Sequence, residues 1–225
     1  MRLFITGTDT DVGKTAATAA LAAALAERGT VVAAKPVASG VPAGRAGDDA
    51  EALGRAAGHP PVIHTTYRAP LSPHRAARQE GRPLDEPGLL AWVQALSADH
   101  VLVEGVGGWC VPLSEELWVR DLARAAADDV VVVAADRIGV LNHTLLTVDA
   151  VRRDGFRVLG VVLNRGIPTA EDDPSPSTNA DDLRMLLDVP VVVLEHFDEA
   201  GAAREGRRLL GAISVIRSSA RSGEA

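Results

Sequence analysis

Short, unbroken apolar runs recur along the chain at residues 3–6, 30–37, 101–104, 130–134, 158–163 and 189–194, each built mainly from Val, Leu, Ile or Ala. Strands without polar alternation are buried on both faces, as in parallel sheets covered by helices. Stretches with helical spacing lie between them, at 15–28, where eight residues are alanine, at 49–58 and at 142–153. Alternating β and α segments predict one α/β domain over 1–225, with a doubly wound, mostly parallel sheet and helices on both faces. Residues 59–86, rich in Pro and His, read as loop over a ligand site, and 166–179, broken by Pro and acids, as a mobile connection. The last nine residues, 217–225, read as a frayed, flexible tail.

Composition narrows the partners. Hydrophobic residues make up 47% of the 225 positions but aromatics only 3%, so the core must be aliphatic. A formal charge of −7 argues against nucleic acid or an anionic membrane surface as partner. Cys110, the single cysteine, excludes an internal disulfide and reads as a small buried hydrophobe in a reduced, cytoplasmic protein. No run reaches membrane-spanning length, and the N-terminus enters a strand directly, without a secretion signal.

The first strand leads into Gly7-Thr8-Asp9-Thr10-Asp11-Val12-Gly13-Lys14-Thr15 and then a helix, the order of a phosphate-binding loop. Backbone N–H groups over Asp11, Val12 and Gly13 can close on phosphate oxygens, Lys14 can meet the β- and γ-phosphates, and the Thr15 hydroxyl can hold Mg²⁺. The glycines enclose five residues where the strict pattern has four, so this is a lengthened variant. The fold is accordingly P-loop NTPase-like.

Ligands of open α/β sheets sit beyond the carboxyl ends of the strands, which singles out further residues. Glu104 closes the run at 101–103, and a carboxylate there calls for a cation such as Mg²⁺. Asp48 and Asp49 follow Gly47 at a helix start; one of the two reads as the N-cap, and Thr15, Asp49 and Glu104 make a sufficient set for the metal. Lys35 ends the second strand, where Pro36 turns the chain out of the sheet, and can reach a γ-phosphate or an anionic substrate, with Ser39 adding a hydroxyl. His64, His74, His100 and His143 lack metal-ligand spacing.

The blocks Gly7 to Thr15, Lys35-Pro36-Val37-Ala38-Ser39-Gly40, Gly47-Asp48-Asp49, Ser72-Pro73-His74, Glu104-Gly105-Val106-Gly107-Gly108-Trp109 and Gly139-Val140-Leu141-Asn142-His143 together closely resemble the dethiobiotin synthetase family. The resemblance implies an ATP- and Mg²⁺-dependent ligase that closes the ureido ring of dethiobiotin from 7,8-diaminopelargonate and CO₂ in biotin biosynthesis. It implies catalytic roles for Lys35, Lys14 and Thr10, substrate contacts from Ser39 and Gly107, and an adenine contact from Asn164. It also implies a homodimer in which Gly139, Val140, Leu141 and Asn142 lend backbone N–H groups to the neighbour's substrate carboxylate, in keeping with a helix beginning at Asn142.

Departures from the family pattern are Asp11 where many members carry Glu, Val106 where Ala is common, and Val192-Val193-Leu194-Glu195-His196-Phe197 in place of a Gly-x-Ile-Pro segment. The last bears on the base pocket, and the sequence does not distinguish ATP from CTP or GTP. A competing reading is a regulatory ATPase of the partitioning or nitrogenase-iron-protein type. Such proteins usually carry an extra lysine early in the phosphate loop, and residues 6–12 contain none.

Overall fold

The structure, a computed structural model, describes residues 1–168, 170 and 172–221. The elements run β1 (Arg2–Gly7), α1 (Lys14–Ala26), β2 (Val31–Ala38), α2 (Asp48–Ala57), β3 (Val62–Thr66), α3 (Pro73–Glu80), α4 (Glu86–Ala95) and β4 (His100–Gly108). They continue with α5 (Val119–Ala126), β5 (Asp129–Ala135), α6 (Val140–Arg153), β6 (Arg157–Asn164), α7 (Asn179–Leu186), β7 (Val191–Leu194) and α8 (Ala202–Arg221). Seven strands form one sheet in the order β3-β2-β4-β1-β5-β6-β7, every neighbouring pair parallel. The doubly wound α/β architecture follows the strand periodicity.

Alternate residues of each central strand feed opposite cores. Phe4, Val101, Val103, Val130 and Val132 face a layer built on α3 to α7, while Leu3, Ile5, Leu102, Val131 and Val133 face α1, α2 and α8. The alanines of α1 have a specific cause. That helix is covered by the sheet, α2 and α8, and Ala17, Ala20, Ala22 and Ala24 are fully buried. Small side chains let backbones approach, and at Gly206 of α8 a Cβ would lie 1.8 Å from the Ala20 carbonyl oxygen. The few aromatics gather on the other face, where Trp109 meets Phe4 and Phe156 edge-on and its indole N–H donates to Asp154 at 2.7 Å.

Several expectations are corrected. Residues 59–86 contain β3 and α3 rather than loop throughout; β3 is a half-buried sheet edge, and α3 has Pro73 in its first turn and stops at Gly81 with φ 60°. Pro36 does not turn β2 out of the sheet. Pairing with β4 ends at Ala34↔Val103, and the continuing ladder with β3 passes over Pro36, so its missing N–H costs no ladder bond there. Cys110 is exposed, in the turn after β4. Helix α8 runs to Arg221 through the first part of the expected tail, and 222–225 lie outside the described residues. The 166–179 connection, as far as it is described, includes a short 3₁₀ turn at Ser175–Ser177. No helix among the described residues is long and apolar enough to cross a membrane.

Candidate active site

The phosphate loop leaves β1 at the carboxyl edge of the sheet centre and enters α1 at Lys14. Its shape depends on two left-handed residues, Asp11 at φ 55° and Gly13 at φ 91°. Asp tolerates that region better than most residues. Gly13 is required for a second reason, since a Cβ there would sit 1.9 Å from Asn164 Nδ2. Asn164, at the end of β6, donates to the Val12 carbonyl at 3.2 Å and accepts from Gly166 N–H at 3.0 Å. It thus braces the loop from the β6 side.

Lys14 Nζ donates to the Asp9 carbonyl at 2.9 Å within the loop. Burial pushes its ammonium down to about 8, with the charge of Lys35 adding to the effect and Glu104, Asp49 and Asp11 opposing it.

Below the loop lies a charged cluster drawn from four elements. Lys35 Nζ of β2 is 2.7 Å from Glu104 Oε1 of β4 and 2.7 Å from Asp49 Oδ2 of α2, and donates to the Gly105 carbonyl at 3.2 Å. The Thr15 hydroxyl of α1 lies 2.8 Å from Glu104 Oε1 and 2.9 Å from Asp49 Oδ1. Burial opposes the charge on Lys35, but Glu104 and Asp49 outweigh it and raise its pKa. Burial likewise opposes ionisation of Asp49, and Lys35 with the Thr15 hydroxyl overcomes it and holds the carboxyl below the ordinary range.

The local details differ from the sequence reading in four places. Lys35 does not end β2, which continues to Ala38 in its pairing with β3. Neither Asp48 nor Asp49 caps α2; Gly47 is the N-cap, at φ 91°, and both aspartates stand in the first turn, where the helix dipole favours them. Glu104 lies inside β4, opposite Ile5 of β1 and just past the last β2 pair, so Lys35 reaches it across diverging strands. Asn142 does not begin α6: Gly139 is the N-cap, at φ 88°, and Val140 the first helical residue.

A cavity of about 690 Å³ joins these groups, lined among others by Thr10, Asp11, Gly13, Lys14, Thr15, Lys35, Ser39, Asp49, Glu104 and Gly107. Pro70, Leu71, Ser72 and Pro73 form its outer wall, so part of the Pro-rich segment does lie over the site. Ile167 also lines it, a residue that carried no signal in the sequence. Val12 and Asn164 stand behind the loop as buried supports. Gly139 to Asn142 are not part of this wall; they stand beyond β5, with Asn142 exposed and Val140 buried.

The donor set tests for a metal. Glu104 Oε2 is buried without a hydrogen-bond partner, while the Thr15 hydroxyl bridges the other oxygen of that carboxylate and the Asp49 carboxylate. Oxygen donors few in number suit Mg²⁺, which keeps water and phosphate in its remaining positions. Among the described residues, no group of three or more His, Cys, Asp or Glu is arranged to hold a metal by itself.

A family profile described as an AAA domain matches residues 1–217. The chain is 42% identical over 215 residues to the ATP-dependent dethiobiotin synthetase BioD of Anaeromyxobacter dehalogenans (strain 2CP-C), covering 92% of this chain and 94% of that one. It is 41% identical over 180 residues to the protein of the same name from Pseudescherichia vulneris, covering 76% and 75%. Among solved structures, a putative plasmid partition protein from Borrelia burgdorferi B31 bound to AMPPNP superposes with a TM-score of 0.57 at 12% identity, over 96% of this chain and 98% of that one. The septum site-determining protein MinD from Pyrococcus horikoshii OT3, complexed with Mg-ADP, gives 0.51 at 19% identity, over 91% and 86%. At such identities the structures share the fold alone.

Proposed function

The chain belongs to the ATP-dependent dethiobiotin synthetase family, and from that premise we propose that it closes the ureido ring of dethiobiotin from 7,8-diaminopelargonate and CO₂. One amine of the diamine adds to CO₂ and loses a proton, giving a carbamate. A carbamate oxygen then attacks the γ-phosphorus of ATP, and the bond to the β-phosphate oxygen breaks with release of ADP. The second amine attacks the carbonyl carbon of the mixed anhydride and loses a proton, the C–O bond to phosphate breaks, and the ring closes as phosphate leaves.

The residues divide this work by position. Backbone N–H groups of the loop at Asp11, Val12 and Gly13 hold the phosphates, and Lys14 places a charge on the transferring group. Thr10 of the loop, with Lys35, Ser39 and Gly107 lining the same cavity, orients the carbamate so that its oxygen stands in line with the phosphorus. ATP is the nucleotide; an adenine contact from Asn164 would require its side chain, which now holds the Val12 carbonyl and Gly166 N–H behind the loop, to turn toward the base. Thr15, Asp49 and Glu104 would hold Mg²⁺, which supplies neutralisation of the γ-phosphate charge when bound. The observation that carries this reading is the convergence of Lys14, Thr15, Lys35, Asp49 and Glu104 on one cavity from four elements.

The enzyme acts as a cytoplasmic homodimer whose sites span the interface, each α6 offering its first-turn N–H groups at Gly139 to Asn142 to the partner's substrate carboxylate. Supporting this, Ile138 in the turn before α6 and Leu146 within the helix are 74% and 61% exposed, apolar side chains that a second copy would cover. Phosphate release measured with ATP, Mg²⁺, bicarbonate and 7,8-diaminopelargonate, each omitted in turn, tests the activity. Release that persists without the diamine would overturn the ligase reading.

A further inference from the structure

The carboxyl end of β5 carries a buried charge that the reaction does not use. Asp136, 1% exposed, follows Ala135 and immediately precedes Arg137-Ile138-Gly139, the turn that starts α6. Its backbone N–H donates to the Asn164 carbonyl at 2.9 Å, and both carboxylate oxygens accept from side chains: Oδ1 from Asn179 Nδ2 at 2.8 Å and Oδ2 from Arg165 Nε at 2.7 Å. Arg165 in turn reaches the Pro176 carbonyl at 2.6 Å, and Asn179 reaches Ser175 Oγ at 3.2 Å and the Arg137 carbonyl at 3.4 Å. Asp173 closes the circuit, accepting from Ile138 N–H at 2.8 Å and from Ser175 N–H at 2.9 Å.

Two of these bonds join Asp136 to Asn164 and Arg165 at the end of β6, and the others tie that anchor to the turn 137–139 or to the segment 173–179 that leans on it. Beyond its backbone bonds, Val140 N–H to the Arg137 carbonyl at 3.1 Å and His143 N–H to the Gly139 carbonyl at 3.2 Å, the turn has little packing to hold it, since Arg137, Ile138 and Gly139 are all exposed. A buried carboxylate with both oxygens satisfied is stiff, because every alternative arrangement leaves a donor or acceptor unpaired in low dielectric.

We propose that Asp136 is a positioning residue for recognition of the substrate's carboxylate: through Arg165, Asn179 and Asp173 it fixes the turn that aims the first N–H groups of α6 at the bound carboxylate. This rests on the reading of residues 139–142 given above. The nucleotide side stands largely apart, because Asn164 is held by its own bonds to Val12 and Gly166.

The test compares 7,8-diaminopelargonate with 2,3-diaminooctane, the same diamine without its carboxylate. Asp136→Asn keeps the size of the side chain but offers one acceptor and one NH₂ to two donors, so either Asn179 or Arg165 loses its partner. At a temperature where the variant is fully folded, KM for diaminopelargonate should rise about tenfold, in line with an aim displaced by a fraction of an ångström. The kcat should stay within about twofold, and KM for 2,3-diaminooctane should not move. A merely structural role would lower the melting temperature yet leave both KM values alone, or raise them together, and either result overturns the proposal. Should Asp136→Asn fail to fold, Arg165→Gln and Asp173→Asn carry the same comparison, and an unchanged ratio of the two KM values in both overturns it. If the unaltered enzyme itself fails to distinguish the two diamines, the carboxylate reading of 139–142 is what has failed.

Discussion

Lys35 Nζ and Glu104 Oε1 lie 2.7 Å apart with side chains only 4% and 0% exposed, so the centre of the site is an ion pair withdrawn from water. Such a pair is a weak source of net stability, but removing one partner alone leaves an uncompensated buried charge and costs about 3–5 kcal/mol. Lys35→Gln should therefore do two things at once: abolish ring formation and lower the unfolding free energy by about that amount. Urea denaturation beside a dethiobiotin assay measures both. Ring formation at the parent rate would misplace the substrate wall, and an unchanged urea midpoint would contradict the burial of the pair.

The two carboxylates should part company in their side effects. Asp49→Asn and Glu104→Gln each replace a charged oxygen by a neutral one, so both should raise the Mg²⁺ concentration for half-maximal activity by about tenfold or more. The Asp49 side chain is 46% exposed, whereas that of Glu104 is 0% exposed. Glu104→Gln should consequently lower the melting temperature further than Asp49→Asn. Identical Mg²⁺ titrations for both variants and the parent would remove these residues from the metal shell.

The loop residues and the two strand charges were legible because chemistry confined them to few residue types: Gly13, Lys14 and Thr15 by phosphate geometry, Glu104 and Lys35 by the cost of charge within buried strands. What stayed hidden was contact at long range. Asp136 read as one acid among 30 Asp and Glu, and only the fold brings Arg165 and Asn179 to its two oxygens. Helix α8 was likewise missed, since its apolar residues Leu209, Leu210 and Ile213 pack as part of a layer whose other members are far away in sequence. The β3 strand was obscured by flanking Pro and His, although its start and the Pro73–Gly81 helix limits follow ordinary punctuation.

Lys14 ties the site to pH. With the folded pKa lowered to about 8 from 10.5, the unfolded chain holds a proton that the folded chain lacks between those values. The resulting penalty is fully present below pH 8 and is relieved as pH rises toward 10.5, so the nucleotide-free protein should gain on the order of 3 kcal/mol across that window from this group. Lys14→Met should flatten that part of the stability profile. Triphosphate binding requires the ammonium, so above pH 8 it must take up a proton, visible as a dependence of calorimetric heat on the buffer's ionisation enthalpy. A Lys14→Ala chain that is folded yet turns over near normally would remove the residue from phosphoryl transfer, where loss of one preorganised charge costs several kcal/mol.

Shared sites make a prediction that no single chain can satisfy. Lys14 lines the cavity whereas Asn142 stands beyond β5 and outside its wall, so in the dimer proposed above one complete site takes Lys14 from one chain and the α6 terminus from the other. A Lys14→Ala homodimer lacks the phosphate charge in both sites. Substituting Asn142 by Pro, which removes a first-turn N–H while keeping a helical φ, should damage carboxylate binding in both sites of its own homodimer. In the mixed dimer the two lesions fall together in one site and leave the other intact. Activity should return to about half of the parent value per heterodimer, from two parents that are each nearly inactive. Heterodimers shown to form by differential tagging, yet no more active than either parent, would place Lys14 and Asn142 in service of a site within one chain.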